Sequence, residues 1–225
     1  ALEAPQGIDQ AGPKGPPKNV EIEFALFSGG EALPMGSGRH HYATFDGGNY
    51  ELKVQESIAE SNPENTPWWR LAISGRITSD GLSPTLYEKR GKVSERLLGL
   101  NDNPKNHSPD QDEMQAGRMP DGILDRQSLL YQFMLRPPKE NAGKVLLTDG
   151  NIYKAFTYKT EGTELLNIAA MGNVQTVKIL LKSKGVKELI ELWLMPEKRF
   201  LPARMRYTDE SGQITDLIVL SLSFD

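Results

Sequence analysis

One stretch constrains the fold more than any other: residues 187–207, KELIELWLMPEKRFLPARMRY. Two segments rich in apolar residues flank residues 196–198, PEK, which are typical of a turn. The pattern therefore predicts a β-hairpin. Alternation along residues 189–195 leaves both faces of the first strand largely apolar. Such a strand is either covered on both sides or lines the concave side of a curved sheet.

The same hairpin carries candidate ligand-binding residues. Arg204 and Arg206 share one face of the returning strand. When the two strands pair across the turn, Glu191 lies opposite one of these two arginines. One interpretation is a cross-strand ion pair on a solvated face, which contributes roughly 0.2–1 kcal/mol. The other is a polar anchor beside Trp193 in a mainly apolar cavity. Under this second interpretation the candidate ligand-binding residues are Glu191, Trp193, Arg204, Arg206 and Asp125.

Further strand-like segments fill much of the remaining sequence. In the first half they are residues 20–27, 39–45, 50–55, 68–77, 85–90 and 92–98. In the second half they are residues 152–159, 164–170, 174–182, 189–195, 201–207 and 214–222. Turn-forming residues, such as Glu-Gly at 161–162, separate them at roughly regular intervals. The succession predicts an all-β fold, an antiparallel meander that forms a strongly curved sheet or an open barrel.

One short helix is predicted near residues 125–135. Asp125 is placed to cap its start, and apolar residues recur at helical spacing from Leu129 to Met134. Two prolines, at positions 137 and 138, end it. Because its apolar stripe needs a partner surface, we expect the helix to plug or flank the opening of the curved sheet.

The chain divides into a linker and one domain. Residues 1–18 are rich in Pro and Gly and predict a disordered linker, and residues 19–225 predict a single β domain. Within the domain, residues 100–122 are polar and rich in turn-forming residues, so we expect a long disordered loop there. The sequence begins with Ala1, so we expect a processed or truncated chain that reaches a membrane only through an anchor outside this sequence.

Charge and cysteine content argue against several classes of function. The 225 residues include 26 basic and 30 acidic side chains, and the formal net charge of -4 argues against a nucleic-acid partner held by bulk charge. Cysteine is absent, which excludes a disulfide framework, a thiolate zinc site and a cysteine nucleophile. Three histidines without cysteines make a weak case for a metal. We therefore assign no metal, no cofactor and no catalytic residue.

Two segments resemble a known family. They are DRQSLLYQFMLRPP from residue 125 and IELWLMPEKRFLPARMRYTDESGQITDLIVLSL from residue 190. Together with the meander between them, they resemble the bacterial exported-protein family known as domain of unknown function 3108. In that family a D-R-x-S-L helix precedes the meander, and an E-L-W-L strand leads to an L-P-x-R-x-R-x-T-D return. The resemblance implies a periplasmic or otherwise exported β domain, often tethered to the inner membrane, and it implies no activity.

Two non-catalytic functions are compatible with these patterns. The first is a binding module for a lipid or another hydrophobic component of the cell envelope, because both faces of residues 190–194 and 217–222 are apolar. The second is a structural or assembly protein that contacts an envelope protein partner through a sheet edge or through the helix.

A third hypothesis is a hydrolase or lyase that acts on an envelope polymer. Glu191 with either Asp125 or Asp209 would supply a pair of carboxylates for such chemistry. Three aromatic residues fit either a sugar-stacking platform for this activity or an ordinary core. They are Trp68, Trp69 and Tyr87.

Overall fold

Thirteen strands form a single sheet in the computed structural model, which describes residues 16–58, 68–92, 113–138, 142–148, 153–183, 185 and 187–225. The first six strands are β1 (Asn19–Ser28), β2 (Gly36–Phe45), β3 (Asn49–Ile58), β4 (Trp68–Thr78), β5 (Gly81–Lys92) and β6 (Glu113–Arg118). The others are β7 (Ile123–Asp125), β8 (Gly143–Thr148), β9 (Tyr153–Ile168), β10 (Gly172–Ser183), β11 (Leu189–Met195), β12 (Leu201–Thr208) and β13 (Ile214–Phe224). One α-helix, α1 (Arg126–Leu135), follows β7 in the described part of the chain.

The order of the strands shows two meanders joined through the ends of the chain. Neighbours in the sheet follow the order β6-β5-β4-β3-β2-β1-β13-β12-β11-β10-β9-β8-β7. β1 pairs with β13, with Val20 opposite Phe224, and so connects the first six strands to the last group. Neighbouring strands are antiparallel except for β7 and β8, which are parallel.

The sheet curls until its two edges approach each other without closing. The edge strands β6 and β7 are consecutive in the chain, with residues 119–122 between them. β7 also contacts β5, and the amide of Met119 donates a hydrogen bond to the carbonyl oxygen of Thr85 at 2.9 Å. This arrangement confirms the predicted all-β fold, a strongly curved and open antiparallel sheet with one short helix.

Alternating residues along the strands point into the curved sheet and form its core. In β3, Tyr50, Leu52 and Val54 are buried, while the residues between them are half-buried or exposed. In β11, Ile190 and Leu192 are fully buried and belong to the same apolar cluster. Removing an apolar side chain of this size from water contributes about 1.5–3 kcal/mol, so the period-two pattern fixes which face of each strand turns inward.

α1 lies inside the curved sheet and fills it. Seven of its ten residues are buried. They are Gln127, Ser128, Leu129, Leu130, Tyr131, Phe133 and Met134. The helix contacts β5, β7 and β12, and its apolar residues join the core cluster formed by the strands. A helix buried around most of its circumference belongs to a protein core, so the predicted helix occupies the interior of the sheet.

Asp125 fixes the first turn of α1. Its Oδ1 atom accepts hydrogen bonds from the backbone amides of Gln127 at 2.8 Å and Ser128 at 2.9 Å. These two amides have no partner within the helix itself, so the carboxylate satisfies them as an N-cap. Burial raises the pKa of Asp125 above its usual range, and the hydrogen bonds from Ser128 and Gln127 oppose that shift only in part.

The turn between β4 and β5 holds the last turn of α1. The side chain of Gln132 accepts a hydrogen bond from the amide of Leu82 at 2.7 Å and donates one to the carbonyl oxygen of Asp80 at 2.8 Å. Gly81 lies between them with a φ of 106°, and a Cβ at this position would collide with the Gln132 side chain. Glycine is therefore needed here both for the backbone conformation and for the space that Gln132 occupies.

One predicted turn, at residues 161–162, is wrong. The strand β9 continues through these residues, and Glu161 is an extra residue in its pairing with β10. Opposite it, Lys178 pairs with Gly162 and Ile179 pairs with Thr160. Gly162 has a φ of 123°, which permits the local irregularity. The Glu-Gly pair is therefore a bulge, and the two predicted strands are one.

Part of the predicted polar loop, residues 100–122, is also ordered as a strand. Residues 113–118 form β6, because their backbone pairs with β5. An edge strand is held by backbone hydrogen bonds and needs no apolar side chains, which is why composition alone missed it. The rest of that loop up to residue 112, the predicted strand continuation at 93–98 and linker residues 1–15 lie outside the described residues.

We expect Leu130→Ala to destabilise the protein by about 2–5 kcal/mol, because this side chain is fully buried in the filled interior. The matched control is Leu165→Ala on β9, where the side chain is 67% exposed and the expected change is within about 0.5 kcal/mol. Denaturant unfolding measures both free energies. Equal effects of the two substitutions would contradict the placement of α1 in the core.

We expect Asp125→Asn to gain stability relative to the wild type as the pH rises. Asparagine still caps the helix. An unfolded aspartate ionises near pH 3.9, whereas the folded carboxyl has a raised pKa, so the folded state holds its proton more tightly. The wild type has this stabilising contribution in full below about pH 3.9 and loses it as the pH rises through the raised pKa.

Thermal melts of both proteins between about pH 3.5 and about pH 7 measure this difference. Asp125→Ala serves as the comparison, because it removes the cap and is expected to cost about 0.5–2 kcal/mol. Parallel melting curves for wild type and Asp125→Asn across the whole range would argue against a raised pKa.

Candidate functional site

A gap remains where the curved sheet fails to close. We call this gap the seam. It is bordered by β5 on one side and by β7 and β8 on the other. β7 has only three residues and pairs with β8, so it covers only a short part of this space. The chain passes across the seam at residues 119–122 and then enters the interior as α1. In the described residues, the seam is thus an opening between the two edges of the sheet, beside the buried helix.

An open groove occupies one end of the seam. Its volume is about 1120 Å³. Its apolar lining consists of Leu82, Leu124, Val145, Leu146 and Ala155. Its charged lining consists of Arg76, Asp80, Asp121 and Lys144. Leu146 is 45% exposed, so the groove presents apolar surface to solvent beside charges of both signs.

A smaller cavity follows the groove along the seam. β5 contributes Thr85 to the groove and Tyr87 to the cavity, and β8 contributes Leu146 to the groove and Thr148 to the cavity. The cavity has a volume of about 50 Å³. Its apolar walls are Trp69, Leu71, Ile73, Tyr87 and Met119. Its polar lining consists of Lys89, Asp125, Arg126, Gln127 and Thr148.

Three residues that line this cavity carry buried polar atoms without a hydrogen-bond partner in the described part of the protein. The atoms are Trp69 Nε1, Asp125 Oδ2 and Gln127 Oε1. Trp69 is 3% exposed and Gln127 is 8% exposed. Buried polar groups are nearly always hydrogen-bonded, because leaving one unpaired costs about 1–3 kcal/mol. One donor and two acceptors without partners are therefore buried in residues that form the wall of this cavity.

A buried network holds Arg126 beside the cavity. Its guanidinium carbon lies 3.7 Å from the ring centroid of Tyr207, and Nη2 lies 3.9 Å from Glu188 Oε1. The hydroxyl of Tyr207 donates to Glu188 Oε1 at 2.6 Å, and Lys154 Nζ donates to Glu188 Oε2 at 2.8 Å. Burial raises the pKa of Tyr207 above its ordinary value, so this hydroxyl remains a donor.

A second group of polar side chains lies in the core behind Gln127. Gln127 Nε2 donates to Glu56 Oε1 at 3.5 Å, and the same carboxylate oxygen lies 3.8 Å from His40 Nε2. His40 Nδ1 and the hydroxyl of Tyr131 share a hydrogen bond of 3.1 Å. All four side chains are buried. Gln127 therefore connects the cavity to a polar group in the middle of the core.

The predicted hairpin site lies elsewhere, on the outer face of the sheet. The sequence predicted Glu191 opposite either Arg204 or Arg206, and the register places it opposite Arg206. The ion pairs differ from the prediction, because Glu191 pairs with Lys178 of β10 at 2.9 Å and Arg206 pairs with Asp216 of β13 at 2.8 Å. The hydrogen bond to Glu191 raises the pKa of Lys178. Strands on either side of the hairpin thus supply the partners.

Trp193 lies at the centre of this outer cluster. The amine of Lys178 lies 4.9 Å from its ring centroid and the guanidinium carbon of Arg204 lies 4.8 Å from it. Its Nε1 atom donates to Glu164 Oε2 at 2.7 Å. The long stems of the cations cover the indole, which is only 4% exposed. Trp193 therefore has a low exposure although it lies on the outer face.

Asp216 joins both arginines of the outer cluster. Its Oδ1 atom accepts from Arg204 Nε at 2.9 Å, and its Oδ2 atom accepts from Arg206 Nη2 at 2.8 Å. Burial acts to raise the pKa of Asp216, but the hydrogen bonds from Arg206 and Arg204 outweigh it and hold the pKa below its usual range. The carboxylate therefore stays ionised between two cations.

The structure brings four of the five predicted ligand-binding residues together and separates the fifth. The four outer residues are Glu191, Trp193, Arg204 and Arg206. Asp125 instead caps α1 and lines the seam cavity. The role of all five in ligand binding stays a prediction.

The carboxylates considered for an enzyme have separate places and separate tasks. Asp209 accepts hydrogen bonds from the amides of Ser211 and Gln213 in the turn between β12 and β13, each at 2.9 Å. Glu191 pairs with Lys178, and Asp125 caps the helix. Within the described residues, no group of three or more His, Asp or Glu side chains is arranged to hold a metal ion.

The residues at the seam were only partly found from the sequence. Of the three aromatic residues, Trp69 and Tyr87 line the cavity, whereas Trp68 lies under the guanidinium of Arg70. Gln127 was not singled out. The available signal was a polar residue at the start of a helix, QSLLYQFML, in which most of the residues are apolar. A buried amide of this kind points to a local hydrogen-bonding need.

Comparison with solved structures shows a shared fold. A β-barrel-like protein of domain of unknown function DUF1849 from Brucella abortus is similar over 92% of this chain and 98% of that chain, with a TM-score of 0.53 and 8% identity. A putative lipoprotein from Parabacteroides distasonis covers 92% of this chain and 95% of its own, at a TM-score of 0.36 and 11% identity. A DUF1329 family protein from Desulfovibrio piger covers 93% and 86%, at a TM-score of 0.33 and 10% identity. The first comparison supports the fold alone, and the other two are too distant to add to it.

Comparison by sequence shows the family. No curated protein matches the chain significantly. Residues 41–219 match the family described as a protein of unknown function, DUF3108. This range runs from β2 into β13 and includes the helix, the seam and the outer cluster. The chain therefore belongs to the DUF3108 family.

Proposed function

We propose that this protein is a non-catalytic binding module for a lipid or another hydrophobic component of the cell envelope. The ligand lies along the seam, with its apolar part in the groove. The observation that carries the proposal is the groove of about 1120 Å³, where an open sheet leaves Leu146 and its apolar neighbours accessible. Sites for small molecules are concave and mainly apolar, with a few placed polar groups.

The position of α1 determines where such a ligand is held. The concave side of the sheet is occupied by α1 and by the core cluster, so it is not the ligand site that a hollow barrel would offer. In the described part of the chain, the seam offers an accessible concave surface beside this core. Lys144 and Asp121 belong to the lining of the groove together with Leu124 and Val145. Apolar surface beside charges of both signs suits an amphipathic molecule.

Two alternatives have weaker support. An assembly role through a sheet edge is compatible with the edge strand β6, which pairs with β5 on one side. An envelope-polymer hydrolase or lyase requires paired carboxylates, and Glu191, Asp125 and Asp209 have the separate tasks described above. A binding module needs neither feature and uses the groove that is present.

The proposed place of action is the periplasm or another exported compartment of a bacterium, with tethering to the inner membrane. This proposal is supported by the resemblance of the D-R-x-S-L and L-P-x-R-x-R segments to an exported family. None of the helices in the described ranges has the length and apolar character needed to cross a membrane.

We expect Leu146→Asp to weaken binding of N-phenyl-1-naphthylamine, a neutral apolar fluorophore, by about tenfold or more. The substitution removes apolar contact area and places a charge in the groove, and one buried leucine contributes about 1.5–3 kcal/mol. A fluorescence titration measures the dissociation constants. Leu165→Asp is the control, since Leu165 is an exposed leucine on β9 that lies outside the groove lining.

Unchanged affinity in Leu146→Asp, or equal losses in both variants, would count against the groove as the site. Native mass spectrometry with organic extraction of protein purified gently from its own envelope identifies the natural ligand. A stoichiometric lipid adduct in wild type, reduced in Leu146→Asp, is the expected result.

The same titration tests the predicted outer-face residues. If Arg204 takes part in ligand binding, Arg204→Gln weakens binding while the melting temperature changes little. If Arg204 only supports Trp193 and Asp216, the substitution lowers the melting temperature and leaves the affinity unchanged.

A further inference from the structure

We infer that the seam cavity binds a hydroxyl head group, the polar end of a neutral alcohol whose apolar chain lies in the groove. This inference rests on the proposed function, because it names the chemistry of the end of the same ligand. The cavity and the groove share the strands β5 and β8 and the segment from residue 119 to residue 127. A molecule that enters along the groove therefore meets the cavity next.

The unpaired polar atoms define what the head group must offer. Trp69 Nε1 is a donor and requires an acceptor. Gln127 Oε1 is an acceptor, and Asp125 Oδ2 is an acceptor in the ionised carboxyl, so both benefit from a donor. All three belong to residues that line the cavity. A hydroxyl both accepts and donates, so a single oxygen atom can pair with the Trp69 donor and with one of the two acceptors once those side chains turn towards it.

Charged head groups fit this set less well. A carboxylate accepts from Trp69 and is attracted by Lys89 and Arg126 in the same lining, but it has no hydrogen to donate to Gln127 Oε1 or Asp125 Oδ2. An ammonium group donates to both acceptors but leaves the Trp69 donor unpaired, and it meets the positive charges of Lys89 and Arg126 in the same lining. The neutral hydroxyl avoids both conflicts.

The size of the cavity limits the head group to a few atoms. A buried water needs about 10–15 Å³ of such space, so the volume of about 50 Å³ has room for about four groups of that size. A terminal CH₂OH or a short diol fits within this volume. A sugar ring is too large for it. The walls formed by Leu71, Ile73 and Met119 suit the methylene groups next to the hydroxyl.

The test uses three matched probes on the full chain: decan-1-ol, 1-methoxydecane and decanoate. They share a ten-carbon chain and differ in the head group. The alcohol donates and accepts hydrogen bonds, the ether only accepts them, and the carboxylate is an anionic acceptor. The readout is the indole N–H signal of Trp69 in a ¹H–¹⁵N spectrum, assigned by its loss in Trp69→Phe. We expect decan-1-ol to shift this signal saturably and to bind about tenfold more tightly than either other probe, because only the hydroxyl pairs both donor and acceptor.

Trp69→Phe supplies the second measurement. It removes the indole donor, so we expect decan-1-ol to bind about tenfold more weakly. Binding of N-phenyl-1-naphthylamine in the groove is expected to stay the same. The indole signals of Trp68 and Trp193 report whether the variant is folded. If the variant does not fold, the comparison of the three probes on the wild-type protein still tests the inference.

The outcomes separate this inference from the proposed function. Equal affinities for the three probes, or tighter binding of decanoate, overturn the hydroxyl assignment and leave the groove proposal standing. If the fluorophore binds but no probe shifts the Trp69 signal, the cavity holds water only. This result also overturns the inference. Failure of all probes and of the fluorophore to bind overturns both.

Discussion

Burial of α1 inside the curved sheet is the constraint on which the rest of the structure depends. The chain crosses from β6 through residues 119–122 and β7 directly into the helix, so it must pass between the two edges of the sheet to reach the interior. The thirteen strands do not close, and this passage lies between β5 and β8. The groove and the cavity therefore lie where the helix enters the interior.

The same entry point joins stability to the proposed site. Asp125 satisfies the first amides of α1 with one carboxylate oxygen, while its other oxygen is buried without a partner in the described residues. Gln127 reaches Glu56 in the core and lines the cavity on its other side. Arg126, between them, is held by Tyr207 and Glu188. Three consecutive positions at the helix start thus serve both the core and the seam, as expected where local structure and binding compete.

Local patterns predicted much of the fold but little of the site. The succession of strand-like segments predicted the antiparallel meander, and the turn at residues 196–198 predicted a hairpin with Glu191 opposite one of two arginines, which the register identifies as Arg206. The ion partners were not predictable, since Lys178 and Asp216 come from the neighbouring strands β10 and β13, whose register with the hairpin the sequence does not specify. The seam depends on two edges that meet only in three dimensions. Nothing in the sequence near Trp69 indicates that it approaches Gln127.

The pairing of β1 with β13 has a consequence for how the chain folds. The two meanders, β1 to β6 and β8 to β13, consist of neighbouring strands that can form as each is synthesised. The contact that joins them connects residue 20 with residue 224 and cannot form before β13 is synthesised. Until then β1 exposes one unpaired edge with buried-type residues such as Ile22 and Phe24. Contacts of such long sequence separation slow folding, so the first half of the chain depends on protection from premature strand pairing while the second half is made.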